Sequence, residues 1–125
     1  MEHSNNIIFY VADPLASASF YKRLLGKDPV MESPIYVQFV ISPDLTLAFW
    51  QKDEVKPAAQ GGAGTCELGL RVMRGEVDAR CQEWRKVGAK ILLEPIDLPF
   101  GRSFVATDPD GNRLRVYALA ESVAA

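Results

Sequence analysis

Short stretches in the first half of the chain alternate between apolar and polar residues, and this pattern predicts β-strands. Apolar residues recur at helical spacing from Leu15 to Leu25, where Asp13 can cap the start of a helix and Gly26 can end it. The pattern therefore predicts one helix, an extended segment around Val30 and Met31, and strands at Ile7 to Ala12, Tyr36 to Ile41 and Thr46 to Gln51.

The second half repeats this plan of strand, helix and paired strands. Its predicted helix has Val77, Cys81, Trp84 and Val87 on the inner face, and its predicted strands are Leu68 to Val72, Ile91 to Leu93, Ser103 to Thr107 and Arg113 to Ala118. Ile96 to Gly101 is predicted to be a loop. The fold class is therefore α+β, with two tandem βαβββ modules at about 6–51 and 66–118 and a small-residue linker at about 54–64.

Composition narrows the class of protein. The 125 residues suit a single compact domain spanning 1–125, and the 48% hydrophobic share is enough for a core. A net charge of −2 gives no electrostatic attraction to nucleic acid or an anionic membrane, and no apolar run is long enough to cross a bilayer. No signal peptide is visible, and Cys66 and Cys81 suit free thiols, so we expect a cytoplasmic protein without nucleic-acid or membrane partners.

The tandem modules, with the second ending in Asp108-Pro109-Asp110-Gly111-Asn112, resemble the vicinal oxygen chelate superfamily of glyoxalases, bleomycin resistance proteins and dioxygenases. The resemblance implies a cup of curved mixed sheets, with helices on the outer face and a divalent metal inside. It places the family's ligand positions at Asn6, Ala48, Glu67 and Arg115. Ala48 has no donor atom and Arg115 is a permanent cation, so we expect neither a metal nor another cofactor.

Alternation along each strand predicts which side chains line the cup. Aromatic and guanidinium groups dominate this set, a combination suited to stacking and clamping a flat anionic molecule. We predict no catalytic residue. The predicted ligand-binding residues are Tyr10, Tyr36, Gln38, Trp50, Glu67, Arg71, Arg102, Phe104, Arg115 and Tyr117.

Further motifs are similar to the griseoluteate-binding, phenazine-antibiotic resistance subgroup of that superfamily. They include Trp50, Glu67-x-Gly69, Phe100-Gly101-Arg102 and Arg115-Val116. This resemblance implies non-catalytic binding and sequestration of a planar aromatic, carboxylated antibiotic such as a phenazine. It also implies a homodimer whose cups are lined from both subunits.

Other classes of function remain open at this point. One is a metalloenzyme of the same superfamily, such as a glyoxalase-like isomerase or a thiol transferase. Another is a metal-free enzyme in which Glu67 acts as a general base. A structural or regulatory dimer is a further possibility, although no residue pattern favours it.

Overall fold

The computed structural model describes residues 5–56, 58–59, 66–99 and 101–120. The chain divides into two compact units, residues 1–64 and 65–125, here called module one and module two. Most of the predicted linker, namely residues 57 and 60–64, lies outside the described residues. In the part of the chain that the structure describes, no helix is long and apolar enough to span a membrane.

The described part of module one forms a mixed sheet packed against a helix. In chain order its elements are β1 (Asn5–Val11), α1 (Pro14–Leu25), β2 (Met31–Glu32), β3 (Tyr36–Ser42) and β4 (Leu45–Gln51). The strand order is β1-β4-β3-β2, with β1 parallel to β4 and the other pairs antiparallel. A short 3₁₀ turn, Lys52–Glu54, follows the last strand.

Helix α1 begins and ends where the sequence predicts. The Asp13 carboxylate accepts hydrogen bonds from the backbone N–H groups of Leu15 (3.1 Å) and Ala16 (3.4 Å), and Gly26 ends the helix in the left-handed conformation at φ 67°. The inner face of the helix buries Tyr21, whose ring centroid lies 4.5 Å from that of Phe49 in β4. One face of the sheet is thereby fixed as the core of module one.

Module two repeats the topology. Its elements are β5 (Glu67–Arg71), a 3₁₀ turn (Arg74–Glu76), α2 (Val77–Lys86), β6 (Lys90–Leu98), β7 (Gly101–Thr107) and β8 (Arg113–Leu119). The strand order is β5-β8-β7-β6, and β5 is parallel to β8. The α+β class and the two tandem βαβββ modules are thus confirmed, while the cup stays a prediction.

Two details of module two differ from the predictions. Strand β6 extends to Leu98, into the segment predicted as a loop. It is an edge strand, and its register shifts between Ile91 and Leu93 and between Leu93 and Ile96 accommodate Pro95. Val87 is not on the inner face of the helix: it follows the last helical residue and is 38% exposed.

Gly101 allows β7 to start close to β8. Its φ is 151°, and a Cβ atom at this position would lie 2.0 Å from the backbone oxygen of Ala118. The space beside this residue is therefore too small for any side chain, and only glycine lets β7 pair with β8 from its first residue.

Candidate ligand-binding site

The sheet of module one presents one face to α1 and a second face with aromatic and polar side chains. The register of the sheet aligns Asn6 with Thr46, Ile8 with Ala48, and Tyr10 with Trp50, and residues directly opposite one another share a face. Strand β3 adds three further side chains to it, Tyr36, Gln38 and Val40. We call this surface the aromatic face; it contains all four predicted site residues of the module, Tyr10, Tyr36, Gln38 and Trp50.

Three aromatic side chains form a row across this face. Trp50 is flanked in register by Tyr10 on β1 and by Tyr36 on β3. The ring centroids of Tyr36 and Trp50 are 6.1 Å apart at an interplanar angle of 84°, an edge-to-face pair. Tyr10 is 52% exposed although it is a large aromatic residue. The row therefore offers π-surface that the fold itself does not bury.

Next to this row lies a hydrogen-bonded cluster of polar side chains. The Asn6 amide donates to the Tyr36 hydroxyl (3.1 Å), the Thr46 hydroxyl donates to Asn6 Oδ1 (2.7 Å), and the Gln38 amide donates to Thr46 Oγ1 (3.0 Å). Asn6 and Thr46 were absent from the predicted site residues. Alternation alone places them on this face, and only their contacts show that they support Tyr36.

Module two carries a second set of predicted residues on the sheet face opposite α2. The register puts Glu67, Arg71, Arg115 and Tyr117 on one side of the sheet, together with Ser103. We call this surface the arginine face. Arg115 donates from Nε to Glu67 Oε2 (2.8 Å), from Nη2 to Glu67 Oε1 (3.3 Å) and from Nη1 to the fully buried Ser103 hydroxyl (3.0 Å). The guanidinium is therefore held in one orientation.

Gly69 and Arg71 determine the surroundings of Tyr117. A Cβ atom at position 69 would lie 3.2 Å from Tyr117 Cε1, so the tyrosine ring lies against the backbone of β5. Arg71 is the register partner of Tyr117 and forms no ion pair with any described residue. It is exposed, and its charge is available to an anion on this face.

The predicted positions of Arg102 and Phe104 on the open face are wrong. Phe104 is 0% exposed and packs edge-to-face against Trp84 of α2, with ring centroids 5.3 Å apart. Arg102 also lies on the helix side, where its guanidinium donates to both carboxylate oxygens of Asp78 (2.7 and 3.0 Å). This hydrogen bond lowers the pKa of Asp78 and raises the pKa of Arg102. Both residues therefore contact α2 and not the open face.

The residues at the family's metal-ligand positions do not fit a divalent cation. Ala48 presents a buried methyl group, and Arg115 brings a positive charge that already holds both oxygens of Glu67. No group of three potential ligands among His, Cys, Asp and Glu comes together within the described ranges. If Glu67 acted as a general base, its carboxylate would have to break its two hydrogen bonds with the Arg115 guanidinium.

Residues 3–116 match the glyoxalase/bleomycin resistance protein/dioxygenase superfamily. The chain belongs to this superfamily, which the tandem modules and the Asp108-to-Asn112 turn had indicated.

Three known proteins show how similar this chain is to other proteins of this fold. It is 35% identical over 116 residues to a phenazine antibiotic resistance protein, EhpR, of Enterobacter agglomerans, with 90% of this chain and 88% of the relative covered. It is 42% identical to a protein of Agrobacterium tumefaciens with a known solution NMR structure, at a TM-score of 0.80 and coverage of 96% and 99%. A glyoxalase/bleomycin resistance protein/dioxygenase from Nocardioides shares the fold at 22% identity, with a TM-score of 0.78 and coverage of 94% and 83%.

Proposed function

We propose that this protein binds and sequesters a planar aromatic, carboxylated antibiotic of the phenazine type, without chemical turnover. The observation that carries the proposal is the row of Tyr10, Trp50 and Tyr36 across an open sheet face. A fused-ring ligand gains stacking and apolar contact on such a row. The 35% identity to a phenazine antibiotic resistance protein supports this class of ligand over other planar molecules.

In module two, the proposed contacts are polar and lie on the arginine face. Arg71 has no ion-pair partner in the described part of the chain, so a ligand carboxylate would complete its hydrogen bonding instead of displacing an existing contact. Arg115 has its orientation fixed by Glu67 and Ser103, which lowers the entropy lost when a ligand binds. In this proposal Glu67 orients Arg115 and does not abstract a proton.

The proposed functional unit is a cytoplasmic homodimer with each ligand bound by residues from both subunits, as the resemblance to the resistance subgroup implies. Light scattering coupled to gel filtration tests the dimer: a mass near 27.6 kDa, twice the 13.8 kDa of the chain, is expected. A mass of one chain at micromolar concentration would contradict this part of the proposal and leave ligand binding by each subunit open.

Calorimetric titration with phenazine-1-carboxylate tests the binding itself. We expect saturable binding near one site per subunit, and a loss of affinity of roughly tenfold in Trp50→Ala, because stacking on one aromatic ring contributes about 1–3 kcal/mol. Leu15→Ala is a matched control, since Leu15 is an exposed side chain of α1, on the other side of the sheet. Equal affinities of the two variants would contradict the role of Trp50.

The two tryptophans give an independent spectroscopic measurement. Trp50 lies on the aromatic face, whereas Trp84, in α2, is buried against Phe104. We expect ligand to quench the wild-type emission and to leave the emission of Trp50→Phe almost unchanged, after correction for absorption by the ligand. Quenching that persists undiminished in Trp50→Phe would place the ligand elsewhere.

A further inference from the structure

The polar cluster on the aromatic face forms a hydrogen-bond chain with a defined direction. It begins at the Gln38 amide and passes through the Thr46 hydroxyl and the Asn6 amide to the Tyr36 hydroxyl. Thr46 is buried, while Tyr36 is half-buried, next to Trp50. The buried Thr46 hydroxyl therefore determines, through Asn6, the hydrogen-bonding state of the Tyr36 hydroxyl.

The direction follows from counting hydrogens. A threonine hydroxyl has one hydrogen; Thr46 Oγ1 accepts from Gln38 Nε2 (3.0 Å) and donates to Asn6 Oδ1 (2.7 Å). Thr46 Oγ1 also lies 3.3 Å from the Asn5 carbonyl oxygen, a longer contact than the one to Asn6. Since Asn6 Oδ1 accepts, the other end of this amide is the nitrogen, which donates to the Tyr36 oxygen at 3.1 Å.

The hydroxyl of Tyr36 is consequently left as a donor. Its oxygen accepts from Asn6, it has a single hydrogen, and no described side chain accepts that hydrogen. The Tyr36 hydroxyl can therefore donate a hydrogen bond to a ligand atom with a lone pair. A ligand N–H or O–H that donates would instead compete with Asn6 for the phenol oxygen.

We infer that Tyr36 is the specificity-determining hydrogen-bond donor of the aromatic face, and that Asn6 and Thr46 are its positioning residues. The face then selects fused-ring aromatic ligands that have an acceptor at the ring edge, such as a ring nitrogen or a carboxylate oxygen, over equally flat ligands that present a donor. This inference rests on the proposed function and adds a chemical selectivity to it.

Acridine and carbazole are suitable probes, because both are flat and tricyclic and both are neutral at pH 8. Acridine has a ring nitrogen that only accepts, and carbazole has a ring N–H that only donates. We expect the wild-type protein to bind acridine more tightly than carbazole. Tyr36→Phe should reduce this ratio of affinities about three- to tenfold, the value of one neutral hydrogen bond.

Asn6→Asp tests the direction of the chain. A carboxylate at position 6 can only accept, so it takes the hydrogen of Tyr36 and leaves the phenol oxygen to accept from a ligand. We expect this variant to shift the preference toward carbazole, and the double variant with Tyr36→Phe to lose that shift. Leu15→Ala is the control and should keep the wild-type ratio.

The outcomes separate this inference from the proposed function. If both probes bind and neither Tyr36→Phe nor Asn6→Asp changes their ratio, the donor role is wrong although the aromatic face still binds planar molecules. If Tyr36→Phe changes the ratio of affinities and Asn6→Asp does not, Asn6 does not position Tyr36, and its assignment as a positioning residue is overturned. If acridine, carbazole and phenazine-1-carboxylate all fail to bind the wild-type protein, the proposed function fails and the selectivity fails with it.

Discussion

Phe104 offers a sharp test of which face of module two belongs to the core. Its ring is fully buried, pairs edge-to-face with Trp84 at 5.3 Å, and lies in register with the buried Val116. Substitution by leucine keeps an apolar side chain of similar volume but removes the aromatic pair. The structure therefore predicts a loss of stability without a direct effect on ligand contacts.

The expected loss follows from two contributions. The edge-to-face pair contributes about 0.5–1.5 kcal/mol, and the change of shape in a close-packed core costs up to roughly 1.5 kcal/mol more. A total of about 0.5–3 kcal/mol corresponds to a fall in melting temperature of roughly 2–11 °C for a domain of this size.

Urea unfolding followed by far-ultraviolet circular dichroism measures this loss, with phenazine-1-carboxylate affinity measured in parallel on the folded variant. Tyr10→Leu is the matched control: it makes the same kind of change at a residue that is 52% exposed, where we expect a cost below about 0.5 kcal/mol. Phe104→Leu should lower the urea midpoint, and Tyr10→Leu should leave it almost unchanged.

The reverse pattern would refute the assignment. A normal urea midpoint together with weakened ligand binding in Phe104→Leu would mean that Phe104 faces the open side. Such a result requires β7 to be shifted by one residue against β8, because a shift of one residue exchanges the two faces of a strand. Arg102 would then move with it.

Three further predictions concern other sites. Ser17→Ala should raise the free energy of unfolding by roughly 1 kcal/mol in urea titrations, because the Ser17 hydroxyl is buried and has no hydrogen-bond partner among the described residues. A loss of stability in this variant would show that the hydroxyl does have a hydrogen-bond partner. Gly69→Ala should lower phenazine-1-carboxylate affinity a few-fold, because its Cβ atom would push Tyr117 from its place at 3.2 Å; unchanged affinity would remove Tyr117 from the site. Asp78→Asn should flatten the loss of stability below about pH 4, because the Arg102 hydrogen bond lowers the pKa of Asp78 in the folded state. The contribution of ionised Asp78 to stability is present above its unfolded-state pKa and is lost as the pH falls through its folded-state pKa. Urea midpoints that depend on pH as in the wild type would contradict this prediction.

The sequence predicted β1 and α1 of module one well because both carry clear local signals. In β1, Phe9 and Val11 are buried while Tyr10 between them is exposed, and Asp13 and Gly26 mark the helix ends with side-chain chemistry of known preference. The aromatic face could therefore be predicted from residue identities alone.

Strand β7 lacks this contrast. Its residues from Ser103 to Ala106 are all buried, so polarity does not reveal which of them face α2. The distinction depends on tertiary contacts, in which Phe104 contacts Trp84 and Ser103 accepts from Arg115. Likewise, Pro99 and Gly101 led to a predicted loop from Ile96, whereas β6 continues to Leu98 as an edge strand with bulges. Neither fact can be obtained from local sequence.

The tight approach of β7 to β8 at Gly101 also constrains how this chain can diverge. Any amino-acid substitution there introduces a Cβ atom into a space where the Ala118 oxygen is only 2.0 Å away, and it also strains a backbone at φ 151°. Exposed side chains of the aromatic face, such as Tyr10, are not restricted by space in this way. In a comprehensive mutational library, variants at position 101 should be lost in every selection for folded protein, while ligand preference can drift at the open face.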